Sequence, residues 1–300
     1  MSDSSKPTPT GIAPPEAEVR DRLAEFGIAS YQIEAIIFFM TVKSFVGSRV
    51  LEVGGHDLPP ELKFEFLGAS KWHCVDITEH GSGDYQKYFP LLESEAGITD
   101  LRAARLEHLC TKSAFFNGDV IDLPSAFFNS YDICVSICAF EHIQLLPLAV
   151  SKIYSALSFN GSLVSYFGPV WSSFCGHHFW HSDALNFNKL GPVEPHDHLL
   201  LSQPEMLRKL LDSSMDLETA SSVTDLIFCS KTVNRLLYED YDSIMRLSDF
   251  TGHTIAPYGM RPLRSDTRDA LSARFPHYSR FDAYGVKLNA WKLRNHEPER

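Results

Sequence analysis

No apolar run in this 300-residue chain approaches the roughly 20 residues needed to cross a bilayer, so no membrane partner is expected. Positive charge is scarce as well: 27 Lys and Arg stand against 38 Asp and Glu, a net charge of −11. The one extended basic series, Arg261, Arg264, Arg268, Arg274 and Arg280, is sparse. Phosphate-backbone binding relies on concentrated positive charge, which makes nucleic acid a disfavoured partner. The six cysteines (Cys74, Cys110, Cys134, Cys138, Cys175 and Cys229) include no C-x-x-C pair. Four of them lie in apolar stretches, where a reduced cysteine behaves as a small hydrophobe. A reducing compartment, without a disulfide framework or structural zinc, is the reading. Residues 1–15 are rich in Ser, Pro and Thr and lack an apolar signal core, which predicts a disordered tail on a cytoplasmic protein. There is no internal repeat.

What is present is a globular composition, 44% hydrophobic and 22% charged, suited to one large domain over 16–300. Helical spacing marks Glu16–Phe26 and Tyr31–Phe45. From there short β-branched or apolar runs, Arg49–Val53, Lys71–Ile77, Ser113–Phe116, Tyr131–Ile137 and Gly161–Phe167, alternate with helical candidates. The latter are a helix opened by Pro59–Pro60 and ending near Gly68, then Leu91–Thr111 and Leu146–Leu157. Alternation of this kind predicts a parallel sheet with helices on both faces, binding its ligand beyond the carboxyl ends of the strands. Residues 168–201 break the rhythm with His, Trp, Phe and Pro, too long for an ordinary connection and so a functional loop or lid. The capping-box pattern Ser202-Gln203-Pro204-Glu205 restarts a helix, and Ser221–Leu237 continues the helical pattern. Thr251–Tyr258 and Tyr284–Lys292 are predicted strands; the second alternates, which fits an antiparallel addition at the sheet edge.

Candidate ligand residues fall at the strand ends. Val50-Leu51-Glu52-Val53-Gly54-Gly55 finishes a strand with an acid and then glycines, which let backbone approach a ligand without a Cβ in the way. Asp76 closes the second strand, where a carboxylate can accept both hydroxyls of a ribose. Asp119, after Asn117-Gly118, is placed to accept from an exocyclic adenine amine, with Val120 packing on the ring. Each acid alone equally suits a helix cap or turn. Their order along successive strands carries the argument.

Gly118-Asp119-Val120-Ile121-Asp122-Leu123-Pro124 and the stretch from Tyr131 to His142 resemble the adenine-binding and fourth-strand segments of the class I S-adenosylmethionine-dependent methyltransferases, a likeness covering about Val50 to Phe167. The resemblance implies a three-layer, Rossmann-like α/β fold, mostly parallel with an antiparallel edge strand, and S-adenosyl-L-methionine as cofactor with S-adenosyl-L-homocysteine as product. It places Glu52, Gly54 and Gly55 near the methionine part, Asp76 and Ile77 at the ribose, Asp119 and Val120 at adenine, and Ile137 and Cys138 on the methionine side. His56 stands where that family has a further glycine, and no G-x-G-x-x-G is present to suit a nicotinamide enzyme.

The acceptor side is read from residues 168–181 and His196-Asp197-His198, which look loosely like methyltransferases of small molecules or glycans. Histidine titrates near neutral pH, so His178, then His177, His181 and His142, are candidate bases for O-methylation of a small polar acceptor. Trp171, Glu141 and His198 are candidate substrate contacts, although any single histidine here equally suits packing or a turn. The histidines with Asp183, Glu194 and Asp197 offer ligands for a metal, but no His-x-x-x-His in a helical stretch supports one, and none is expected. N- or C-methylation of a natural product or peptide, a non-catalytic binding module, and a homo-oligomer stay open.

Overall fold

The computed structural model describes residues 16–55, 58–77, 98–189 and 191–293. Two helices, α1 (Glu16–Ala24) and α2 (Ser30–Val42), precede the first strand, β1 (Arg49–Val53). The strands β2 (Lys71–Asp76), β3 (Ile98–Asp100), β4 (Ser113–Asn117) and β5 (Tyr131–Ile137) follow, then helix α3 (Leu146–Ala156) and strand β6 (Leu157–Phe167). After β6 come the hairpin β7 (Trp180–Ser182) and β8 (Leu185–Asn186), and the helices α4 (Asp197–Leu200), α5 (Gln203–Asp212), α6 (Leu217–Phe228) and α7 (Tyr238–Arg246). Strand β9 (Gly252–Tyr258), helix α8 (Ser265–Arg274) and strand β10 (Gly285–Lys292) end the fold.

The main sheet runs β3-β4-β2-β1-β5-β6-β10-β9. The six strands from β3 to β6 are parallel; β10 is antiparallel to both β6 and β9. This is the expected Rossmann-like α/β architecture. The alternating late strand is antiparallel, and it lies one place in from the edge, which β9 forms. Chain order reverses between β1 and β5: the sheet grows outward from β1 through β2 and β4, then returns to the other side of β1.

Period-2 alternation sorts the strand side chains onto two cores. Leu51, Val53, Val75, Phe116, Cys134 and Leu163 face α3 and the Tyr238, Tyr241 and Met245 side of α7. Val50, Trp72, Ile133, Val135 and Val164 face Ile33, Ile36 and Phe39 of α2. Helix α3 buries Leu146, Ala149, Val150, Ile153 and Ala156, a stripe at helical spacing, and has Pro147 in its first turn. The segment after β6 carries its own small core, in which Met206 and Leu210 of α5 meet Ala220, Val223 and Ile227 of α6. The Ser202–Glu205 capping box forms, with the Ser202 N–H donating to the Glu205 carboxylate at 2.7 Å. Among the described residues no helix is long and apolar enough to cross a membrane.

Two helical expectations are corrected. Of Leu91–Thr111, residues 91–97 lie outside the described residues, and the remainder forms β3 and two short 3-10 turns. Asp100 accepts from the Arg102 N–H at 2.8 Å, a local side-chain cap that competes with helix continuation, and Arg102 is ion-paired with Asp122. Leu101 packs so closely beneath Gly118 that a Cβ there would lie 2.7 Å away. The Ser221–Leu237 pattern ends at Phe228. Beyond it the Ser230 hydroxyl engages Thr232, and the chain turns back over the loop that follows β5.

Candidate functional site

Ligand sites in open α/β sheets lie outside the carboxyl ends of the strands, where the chain order reverses. Here that position falls between β1 and β5. Gly54, just after β1, has φ +70, and a Cβ built on it would sit 2.2 Å from the Ala139 Cβ. Only glycine lets the two turns close up this far. Cys138, which follows β5, also adopts a positive φ of 49. On the β2 side the Gly118 N–H donates to the Asp76 carbonyl at 2.9 Å, drawing the ends of β2 and β4 together. Asp76 accepts from the Ile77 N–H at 2.7 Å. Asp119 accepts from the Ile121 N–H at 3.1 Å and caps a 3-10 turn in which Val120 is buried. The predicted cofactor residues Gly54, Asp76, Ile77, Asp119, Val120, Ile137 and Cys138 therefore all stand at one edge of the sheet, while His56 lies outside the described residues.

Glu52 behaves differently from an exposed ligand acid. It is 1% exposed, and one carboxylate oxygen accepts from the Trp72 indole at 2.7 Å and the Cys74 thiol at 3.0 Å, with the Lys63 ammonium 3.6 Å away. Its other oxygen lies against Gly55, where a Cβ would come within 2.6 Å. The acid thus fixes the first loop from below. Burial and the Glu52 charge push the Cys74 thiol pKa well up, so it stays a neutral donor.

The loop after β5 is held by the segment that ends α6. Asn234 donates from its side chain to the Phe140 and Ile143 carbonyls at 2.7 and 3.1 Å, and from its N–H to the Glu141 carbonyl at 2.9 Å. His142 Nδ1 is 2.6 Å from the Thr232 carbonyl. A neutral ring must donate there, which leaves the lone pair on Nε2. Glu141 is buried, with one oxygen accepting from the Gly168 N–H at 3.1 Å and the other without a protein partner. Burial raises its pKa above the ordinary carboxylate value.

The histidines after β6 are placed less favourably for proton transfer. His178 donates from Nε2 to the Pro169 carbonyl at 2.5 Å and stacks on Phe187, with the His142 ring 5.1 Å away. Burial, then the neighbouring His142, push its pKa down to about 3. His177 is buried between Phe179 and His198, and neither ring nitrogen has a hydrogen-bond partner among the described residues. His198 donates to the Trp171 carbonyl at 2.8 Å, and the Trp171 ring packs on it at 4.7 Å, so these two predicted substrate contacts mainly serve each other. His181 is exposed on β7 beside Ser222. Among the described residues no group of three or more His, Cys, Asp or Glu is arranged to hold a metal ion.

Three tyrosines escaped the sequence reading. Tyr166 in β6, Tyr258 at the end of β9 and Tyr284 just before β10 meet at the same edge of the sheet as Cys138, because β10 runs opposite to its neighbours. The rings of Tyr166 and Tyr258 stack at 4.1 Å, and Tyr258 and Tyr284 lie 5.8 Å apart. Burial raises all three phenol pKa values, that of Tyr166 to about 12, so they act as neutral hydroxyls. Tyr258 and Tyr284 end and begin the two late predicted strands, so opposed strand directions were the signal that could have joined them.

No protein-family model matches the chain, and no curated protein matches it significantly. Solved structures do resemble it. The likeness is one of fold. Phosphoethanolamine N-methyltransferase 2 of Haemonchus contortus, crystallised with S-adenosyl-L-methionine, is 14% identical with a TM-score of 0.47, matching 87% of this chain and 52% of its own. This chain thus spans about half the length of that enzyme. An S-adenosylmethionine-dependent methyltransferase from Mesorhizobium loti is 12% identical over 87% of this chain and 98% of its own, at a TM-score of 0.44. The YcgJ protein of Bacillus subtilis is 12% identical over 88% of this chain and 99% of its own, at 0.45.

Proposed function

We propose that this chain is an S-adenosylmethionine-dependent methyltransferase that methylates an oxygen of a small polar metabolite, sugar or natural product. The observation carrying this reading is the closure of Gly54 onto Ala139 where chain order reverses, with Asp76 and Asp119 on the adjoining strand ends. When bound, S-adenosyl-L-methionine supplies an electrophilic methyl group for in-line displacement. The glycine turn gives the backbone access such a ligand needs, Asp76 is the acid for the ribose hydroxyls, and Asp119 with Val120 is the adenine contact. Ile137 and Cys138 line the methionine side.

Of the four histidines considered, His142 is the base we favour. It belongs to the loop that carries Ala139 and Cys138, and its Nε2 keeps the lone pair. His178, with its pKa at about 3, is a far weaker proton acceptor and is assigned to positioning the His142 ring. Most of the rate enhancement then comes from aligning nucleophile and methyl group in a dry site. The first test is the melting temperature of the purified protein with S-adenosyl-L-methionine or S-adenosyl-L-homocysteine, which should rise with ligand concentration. Mass spectrometry of cell extract incubated with the enzyme and labelled cofactor names the acceptor. On that acceptor His142→Ala should lower turnover by about 100-fold or more and leave cofactor affinity unchanged, while unaltered turnover would remove His142 from the mechanism.

A further inference from the structure

The sparse arginine series at the end of the chain is not used by the reading above, yet its first two members converge. Arg261 and Arg264, with Thr267, His196 and Phe174, line a hollow of about 220 Å³. The segment from Gly259 to Arg264 leaves the carboxyl end of β9, so the hollow lies beyond the same sheet edge as the glycine turn. A row of rings joins the two places. Tyr166, beside Cys138, stacks on Tyr258, which meets Tyr284; the Tyr284 ring is 6.0 Å from Phe174, and the Arg261 guanidinium lies 4.6 Å over the Phe174 ring.

The charges of this region are disposed unequally. Arg264 pairs with Asp266 at 2.8 Å, Arg280 lies 3.8 Å from Asp282, and Arg274 donates to the Leu200 carbonyl. Arg261 has no carboxylate within ion-pair distance among the described residues; its guanidinium rests on Phe174, and its N–H donates to the Asp282 carbonyl. An arginine resting over an aromatic ring keeps N–H donors of its fork for a planar or tetrahedral anion. His196, only 3% exposed, is fixed by an Nε2 donation to the Phe281 carbonyl at 2.9 Å. In a chain of net charge −11, a cation with no carboxylate partner among the described residues, at the rim of a hollow lined in part by Phe174, Leu263 and Phe281, is a local exception to a field that repels anions.

We propose that this hollow binds an anionic group, a carboxylate or a phosphate, and that the methyl acceptor is an acid anchored there by Arg261. The assignment to the acceptor rests on the methyltransferase reading; the anion site does not. The test titrates the protein at constant ionic strength with inorganic phosphate and, separately, with acetate, and follows the Arg261 Nε–H resonance. A saturable shift with a dissociation constant at or below about 10 mM is expected for one of the two anions, and the responding anion tells phosphate from carboxylate. Arg261→Gln should weaken that binding roughly tenfold, and Arg261→Lys, which keeps the charge without the fork, should recover part of it. No saturable shift with either anion, or binding unaltered in Arg261→Gln, overturns the proposal. Calorimetry with S-adenosyl-L-homocysteine in the same samples keeps the two readings apart. Its failure removes the methyltransferase assignment, while intact binding beside absent anion binding removes only the anion site.

Discussion

Acidification from about pH 7 to about pH 5 should destabilise this protein steeply, above the ordinary carboxylate range. Four histidines are almost wholly buried: His73 at 0%, His177 at 1%, His196 at 3% and His198 at 4% exposure. Burial holds His73 at about 4 and His198 at about 3, and lowers His177 and His196 as well. In the unfolded chain each titrates near 6.5. Above that value neither state binds the protons and stability is at its plateau. As the pH falls below it the unfolded chain takes up protons that the folded one refuses, and the loss grows until the folded values are reached. Each such proton is worth about 1.4 kcal/mol per pH unit, so a histidine lowered well down costs about 2 kcal/mol over this interval; His73, His177, His198 and the partly buried His178 together cost about 7, and His196 adds to the loss. That is comparable with the whole stability of an ordinary domain, about 5 to 15 kcal/mol. Urea unfolding at a series of pH values measures it directly. His177→Leu, which removes a ring whose nitrogens have no hydrogen-bond partners among the described residues, should flatten the pH slope by about a quarter. A loss below about 2 kcal/mol between those pH values would refute the reasoning, because the histidines would then be ionised or solvated in the folded state.

Lys63→Met should cost about 3 to 5 kcal/mol in chemical denaturation, since it leaves Glu52 buried without its counter-ion, and adding Glu52→Gln should restore most of the loss. Gly54→Ala forces a side chain into the left-handed region and against Ala139; a stability loss of about 2 to 4 kcal/mol and a vanished melting shift with S-adenosyl-L-homocysteine are expected, and a full shift would refute the close-approach argument. The Arg49–Asp132 pair, 2.7 Å apart and about one-third exposed on both sides, holds the Asp132 carboxyl down at about 2. Its contribution is complete above about pH 4 and fades as the pH falls through about 2; Asp132→Asn should therefore cost below about 1 kcal/mol at neutral pH, as read from denaturant midpoints.

Much of the sheet was legible because its strands are bounded runs whose ends carry Gly, Asp or Asn, and the strand-end acids sit where that pattern puts them. The setting of Glu52 was not legible. A carboxylate at a strand end reads as a ligand, and only the tertiary placement of Lys63, Trp72 and Cys74 shows how it is held below the first loop. The stretch after Phe228 kept a helical pattern, yet its polar residues are used to strap Phe140, Glu141 and Ile143. Periodicity cannot report such a long-range claim on backbone groups. The histidines after β6 make the same point: His177, His178 and His198, chosen for their titration, lie where burial suppresses it. The tyrosines that meet at this sheet edge come from strands far apart in sequence, which a local pattern cannot unite.

The penultimate position of β10 has a consequence for how the molecule is made. Strand β9 pairs in the main sheet with β10 alone, and β10 is made after the other described strands of that sheet. Until residues 285–292 emerge, β6 keeps one side open and β9 has nothing to join, so Tyr166 and Tyr258 are not yet held ring to ring. The sheet from β3 to β6 can therefore assemble during synthesis, while β9 must wait for β10 to slide between two strands that are already built.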